Sequence, residues 1–166
     1  MITTEQIIQQ FNLLPHPEGG YYKQTYISIE TIPAAGLPER FPSARHFSTA
    51  IYFLLGGNDF SAFHRIKSDE VWHFYAGEGL HIYVIHPDGE AELLKLGNDL
   101  TNGYAFQHVV KAGCWFASKP VHQNGFSLVG CTVAPGFDFA DFEMGDKNHL
   151  LKLYPRYEEW INRLCR

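Results

Sequence analysis

Short apolar segments separated by turn residues fill the sequence between residues 48 and 133. Runs of roughly four to eight β-branched and aromatic residues, bounded by Gly, Pro, Asn and Asp, are typical of strands in a β-sandwich or barrel. The Pro87–Glu90 segment is the clearest hairpin turn. The predicted strands are Thr49–Leu55, Phe60–Arg65, Glu70–Tyr75, Leu80–His86, Ala91–Leu96, Gln107–Val110, Cys114–Ala117 and Phe126–Val133. The sequence therefore predicts an all-β fold.

Different patterns occur at the two ends of the chain. Thr3–Gln6 resembles a capping box, which predicts a short helix that stops before Pro15. Tyr21–Ile29 is aromatic and β-branched enough for a further strand. Tyr157–Leu164 shows helical periodicity after Pro155. Residues 1–166 are 45% hydrophobic and 15% aromatic, which suits one packed domain, so we predict a single barrel with a helix at each end.

Composition and charge exclude several classes of protein. The net charge of −5 and the lack of a Lys/Arg cluster argue against a nucleic-acid partner. No apolar run is long enough for a membrane span, and the polar Met1–Phe11 segment is unlike a secretory signal. Cys114, Cys131 and Cys165 form no Cys-x-x-Cys pair, which favours free thiols in a reducing compartment. We predict a cytoplasmic protein.

The stretch from His64 to Gly77 contains the strongest chemical signal. Residues two apart share a face of a strand, so His64 and Ile66 point the same way. Glu70 shares a face with Trp72 and Phe74 on the next predicted strand. A hairpin would bring His64 and Glu70 together, where imidazole and carboxylate either ligate a divalent metal or act as a general base and its orienting partner.

This spacing resembles the first motif of the cupin superfamily, with Ile66 where the motif has a second His. The segment Gly113–Asn124 resembles an incomplete second cupin motif. The resemblance implies a double-stranded β-helix, or jelly-roll barrel. It also implies a metal set of His64, Glu70 and His122 if the loop is shortened. Because both motifs are incomplete, we favour no metal cofactor and keep a divalent metal as the alternative.

Four segments resemble one small uncharacterised cupin family more closely: His16–Tyr22, Ser48–Leu55, Ser68–Gly77 and Ser127–Phe139. This resemblance implies a barrel similar to that of the epimerases that act on nucleotide-linked sugars. It also implies a homodimer and a small-molecule ligand. It implies the fold more firmly than the function.

Further site residues follow from their chemistry. Tyr83 shares a face with His81, and the resemblance to epimerases of this fold, which pair a His base with a Tyr acid, implies a catalytic acid at Tyr83 beside His64 and Glu70. Arg45 suits a phosphate or carboxylate, and Glu18 stands beside two flexible glycines. The remaining ligand-binding candidates are the pocket-wall aromatics Trp72, Phe74 and Trp115, together with His81. Core packing, a loop ion pair or a plain turn are the alternative explanations for these ligand-binding candidates. His81 and Tyr83 could equally face solvent or a neighbouring sheet, and His64 with Glu70 could form a buried pair that only stabilises the barrel.

Three functional hypotheses remain open on the sequence. The first is a metal-independent isomerase or epimerase that uses His64 and Glu70 on a carbohydrate-like substrate. The second is a module that binds a sugar- or nucleotide-like ligand without chemistry. The third is a metal-dependent cupin enzyme. Detection of bound metal, product or ligand separates the three hypotheses.

Overall fold

Two antiparallel β-sheets form the fold in the computed structural model of this chain, which describes residues 2–166. Met1, part of the predicted domain 1–166, lies outside the described residues. The strands are β1 (Leu14–Pro15), β2 (Tyr21–Ile27), β3 (Thr31–Ile32), β4 (Arg45–His46), β5 (Thr49–Gly56), β6 (Ser61–Arg65), β7 (Asp69–Gly77), β8 (Leu80–Ile85), β9 (Ala91–Leu96), β10 (Gln107–Val110), β11 (Trp115–Pro120), β12 (Phe126–Ala134) and β13 (Glu143–Met144). The predicted all-β fold and its principal strands are confirmed.

From β5 onward, successive strands alternate between the two sheets, except that β8 and β9 belong to the same sheet. The first sheet has the order β1-β2-β5-β12-β7-β10 and the second has β13-β6-β11-β8-β9, while β3 and β4 form a separate pair. The predicted Pro87–Glu90 hairpin is confirmed, since β8 pairs with β9. By contrast, β6 and β7 belong to different sheets, so the predicted hairpin between His64 and Glu70 is wrong. These two residues instead approach each other from opposite sheets.

The main core lies between the sheets and determines which residues face inward. On β8, Leu80, Ile82 and Val84 are buried in this core, as the two-residue period of a strand requires. Fully burying side chains of this size contributes about 1.5–3 kcal/mol each. The same alternation directs residues 81 and 83 to the outer face of the sheet.

Three short α-helices complete the described chain: α1 (Thr4–Phe11), α2 (Lys147–Leu153) and α3 (Glu158–Leu164). The predicted capping box is confirmed, because the Thr3 side chain accepts from the Gln6 amide and the Gln6 side chain accepts from the Thr3 amide. Helix α2 was not predicted from the sequence. It buries Leu150 together with Ile161 of α3 in a second apolar cluster, which we call the outer cluster and which also contains Phe63, Ile85, Trp115, Ala117 and Leu164. No helix in the part of the chain described is long and apolar enough to cross a membrane.

Candidate functional site

A cavity of about 540 Å³ lies inside the barrel. Both sheets line it, with Glu70 and Cys131 from the first sheet and His64 from the second. Its walls are largely apolar, and they include Ile66, which occupies the position of the missing cupin His. Cavities of roughly 300–1,000 Å³ with few polar groups are typical of small-molecule sites.

A tight turn brings Glu18 into this cavity. Gly19 and Gly20 adopt φ angles of 116° and 70°, which favour glycine. A Cβ atom on Gly19 would lie 2.2 Å from the carbonyl oxygen of Phe60, so a side chain there would displace the turn. The turn leaves Glu18 only 6% exposed, with its side chain lining the cavity.

The partner of His64 is Glu18, 46 residues earlier in the chain. The Nε2 atom of His64 lies 3.1 Å from Oε2 of Glu18, and both side chains are buried. The hydroxyl of Ser61 donates a hydrogen bond of 2.9 Å to the other carboxyl oxygen, Oε1. The carboxyl group is therefore held on both of its oxygen atoms.

The contacts of His64 place a proton between these two residues. Its Nδ1 atom lies 2.7 Å from the carbonyl oxygen of Ala62, which only accepts, so Nδ1 carries a hydrogen. A stable contact between Nε2 and Glu18 then requires one more proton, held on either atom. Burial raises the pKa of Glu18 and lowers the pKa of His64, and both shifts favour the neutral pair.

Glu70 is a second buried carboxyl group in the cavity. Burial raises its pKa to about 7, with nearby Glu18 acting in the same direction and His64 opposing it. Within residues 2–166, no hydrogen bond or ion pair joins Glu70 to His64, so the expected direct contact is replaced by the contact between His64 and Glu18. A carboxyl group with a pKa near 7 is suited to act as a general acid or base at neutral pH.

His16 and Cys131 also line the cavity, although the sequence analysis did not select them. The amide of Glu18 donates to Nδ1 of His16 at 3.3 Å. Burial lowers the pKa of this His, although the Glu18 carboxyl group at 3.5 Å acts in the opposite direction. The signals for His16 were its place before Glu18-Gly19-Gly20 and at the start of the family-like segment His16–Tyr22. Cys131 gave no signal beyond its strand and its place in the family-like segment Ser127–Phe139.

Phe137, Phe139 and Phe142, which we call the aromatic cap, line one side of the cavity. The ring of Phe142 stacks on His64, with centroids 5.3 Å apart and planes inclined by 30°. Asp141 holds the cap through two hydrogen bonds of 2.6 Å from Arg45.

Arg45 also donates through Nη1 to Ser43 and to the Ala44 carbonyl. It is 2% exposed and does not line the cavity, which corrects its predicted ligand-binding position.

Other predicted site residues lie away from the cavity, which corrects their expected positions. His81 contacts the Tyr104 hydroxyl at 3.0 Å, and Tyr83 packs on Trp160 of α3, because both point out of the barrel. Trp115 lies in the outer cluster with the C-terminal helices, under Arg65. Trp72 and Phe74 face the main core and pack within it.

The residues present do not form the ligand set of a resident metal. His122 of the predicted metal set lies at the surface with 71% of its side chain exposed, outside the cavity. Ile66 contributes only an alkyl group, and Nε2 of His64 faces Glu18. Across residues 2–166, no three His, Cys, Asp or Glu side chains are grouped so that they could hold an ion.

The raised pKa of Glu70 predicts a pH-dependent stability. The stabilisation that Glu70 contributes to the free energy of unfolding is fully present below pH 4.5, its ordinary pKa, and is lost as the pH rises through about 7. As the pH is raised from 5 to 8, the free energy of unfolding of the wild type should therefore fall by up to about 3 kcal/mol relative to that of Glu70→Gln. Urea unfolding of both proteins at the two pH values tests this, with Glu78→Gln at the surface as control. A difference that does not change with pH would contradict it.

Comparisons with known proteins identify the relatives of this chain. The family described as "Cupin superfamily (DUF985)" matches residues 5–145. One similar protein is SO0799 from Shewanella oneidensis, whose sequence is 41% identical and whose crystal structure matches with a TM-score of 0.90. The match covers 100% of this chain and 99% of that one. A hypothetical protein from Leishmania major is 34% identical with a TM-score of 0.89, and 99% of each chain is covered. The uncharacterized protein YML079W from Saccharomyces cerevisiae is 33% identical over 147 residues, which are 82% of this chain and 72% of that one.

Proposed function

The chain belongs to the DUF985 family of the cupin superfamily, whose barrel it shares, and we propose that it is a metal-independent acid–base enzyme. Its substrate would be a small carbohydrate-like carbonyl compound, which it isomerises or epimerises. One observation carries this proposal: the buried contact of 3.1 Å between Glu18 and His64, which holds a proton in the same cavity as Glu70.

The chemistry needs one acid and one base on opposite sides of a substrate. Glu70 comes from the first sheet and His64 from the second, so a substrate between them is approached from two directions. Ionised Glu70 removes a proton from the carbon beside the carbonyl group, and the C–H electron pair forms the enol double bond. The pair of Glu18 and His64 gives its proton to the carbonyl oxygen.

Reprotonation completes the reaction with no reagent besides water. To give an epimer, the new enol O–H proton returns to the pair of Glu18 and His64, water protonates the original carbon on its opposite face, and Glu70 releases the proton it took to water. To give an isomer, Glu70 delivers its proton to the former carbonyl carbon, and the hydroxyl group on the original carbon loses its proton to the pair as the new carbonyl group forms. Proton transfer by positioned groups of this kind contributes typically about 10²–10⁴-fold to the rate.

The lining of the cavity supports the choice of substrate class. Tyr22, Phe53 and the aromatic cap line the cavity with aromatic rings, which suit the C–H groups of a sugar ring. Lys23, Gln24 and Asp138 add polar groups for hydroxyl or anionic substituents. A volume of about 540 Å³ is large enough for a monosaccharide that carries one further group.

Solvent exchange tests the proposal without knowledge of the product. Purified protein is incubated in D₂O with separate free sugars, sugar phosphates and nucleoside-diphosphate sugars. We expect deuterium to enter one substrate at the carbon beside its carbonyl group, as detected by proton NMR and by a mass increase. Glu70→Gln should abolish the exchange, and Glu78→Gln should retain it.

Other results would lead to other assignments. A substrate that raises the melting temperature but exchanges no proton would identify a binding module. Exchange that disappears on dialysis against a chelator and returns with one divalent ion would identify a metal-dependent enzyme. Either result would overturn the proposal of metal-independent acid–base catalysis.

A further inference from the structure

A second cavity, of about 630 Å³, adjoins the first. Ile66 and Phe142 line both cavities and form the wall between them. The second cavity differs sharply in character, because three cationic side chains line it: Arg40, Arg65 and Lys67. We propose that this cavity binds a phosphate group, free or as part of an ester. The inference concerns a different site and does not rest on the proposed acid–base chemistry.

The carboxylates in this cavity already have cationic partners. Asp141 accepts two hydrogen bonds of 2.6 Å from Arg45, which does not line this cavity. Glu143 accepts from Nε of Arg65 at 2.7 Å. Lys67 Nζ lies 3.7 Å from the Asp141 carboxylate, beyond hydrogen-bond distance. Among the residues that line the cavity, three cations therefore meet two carboxylates, and one of these carboxylates, Asp141, is already paired with Arg45 outside the cavity.

Arg40 has the donors that a phosphate requires. Its Nε donates to the carbonyl oxygen of Lys67 at 2.7 Å, which fixes the guanidinium beside the Lys67 backbone. Within residues 2–166, its two terminal nitrogens have no protein acceptor. Asp69 lies near enough for Arg40 to contribute to lowering its pKa, but this carboxylate is bound by Lys111 at 2.9 Å and by the amide of Ala112 at 2.8 Å.

The geometry favours phosphate over a carboxylate. A phosphate group presents three or more acceptor oxygens and nearly two charges, which match a planar guanidinium fork and a separate ammonium group. The cavity also has room at Gly113, where an added Cβ would meet no atom within 4 Å. The side chain of Lys67 is 37% exposed, so binding should weaken as salt increases.

Titration with inorganic phosphate at low ionic strength tests the site. We expect saturable binding that shifts the NMR signals of the Gly113 and Ala112 amides. The double variant Arg40→Gln/Lys67→Gln should weaken binding at least tenfold, because it removes two charge-assisted contacts. The control variant Lys152→Gln/Arg156→Gln changes the net charge equally at another surface and should bind as the wild type does.

Parallel titrations identify the source of the phosphate. Shifts at Gly113 with inorganic phosphate alone indicate a site for the free ion. Tighter binding of glucose 6-phosphate that also shifts Cys131 in the first cavity indicates an ester that spans the Phe142 wall. Absence of saturable binding, equal weakening in the two double variants, or equal affinity for acetate would each overturn the inference. None of these outcomes depends on whether the barrel catalyses proton exchange.

Discussion

Replacing Glu18 by Gln is expected to lower the proton-transfer rate by about 10²–10⁴-fold. A Gln amide can still hydrogen bond to Ser61 and to Nε2 of His64, so the local geometry should survive. It cannot pass a proton to a substrate, because an amide does not ionise in this pH range. The effect should appear in the turnover rate and in deuterium exchange, with only a small change in substrate affinity.

The chain offers a matched control for this substitution. Glu92 contacts Nε2 of His86 at 2.9 Å in the same kind of Glu–His pair, but at the surface. Glu92→Gln should leave exchange unchanged. His64→Asn should lower the exchange rate about as much as Glu18→Gln, and the double variant should lose little more, because the two residues act as one unit. Additive losses would contradict a shared proton.

Replacing Arg45 by Met is expected to destabilise the fold by about 3–5 kcal/mol. The substitution leaves the Asp141 carboxylate, whose side chain is 3% exposed, without its partner in the protein interior. The aromatic cap would lose its anchor to β4, and Phe142 would lose its fixed position on His64. Chemical denaturation monitored by tryptophan fluorescence measures the loss.

Two further variants separate the buried charge from simple loss of packing. The double variant Arg45→Met/Asp141→Leu should recover most of the stability, because neither charge remains buried. Arg163→Met removes an exposed partner of Glu159 and should cost within about 1 kcal/mol. A double variant as unstable as Arg45→Met alone would show that the cap depends on the hydrogen bonds and not on charge balance.

Local patterns were sufficient for most of the secondary structure. Thr49–Leu55 and Ala91–Leu96 were predicted within one residue of their observed bounds, because β-branched and apolar residues end there at turn residues. The capping box at Thr3 needs only residues up to Gln6. These features depend on neighbours within a few positions, so the sequence alone contains the interactions that form them.

The direction in which a side chain points was harder to predict where both faces of a strand are covered. His81 and Tyr83 lie on the face of β8 that the C-terminal region packs against, while Leu80 faces the main core. Both faces therefore include apolar or aromatic residues, and the period of two does not show which face borders a cavity. Only the packing of α3 through Trp160 identifies the outer face.

The sequence by itself determined the strands, their turns, the all-β class and the presence of His64, Glu70 and Glu18 among the candidate residues. Only the tertiary structure decided that His64 contacts Glu18 and not Glu70, and that Arg45 anchors Asp141, 96 residues away. The physical reason is that strands and turns arise from interactions between near neighbours. Proton sharing and charge burial depend on distances between residues that are remote in the chain, and those distances exist only once the two sheets have packed together.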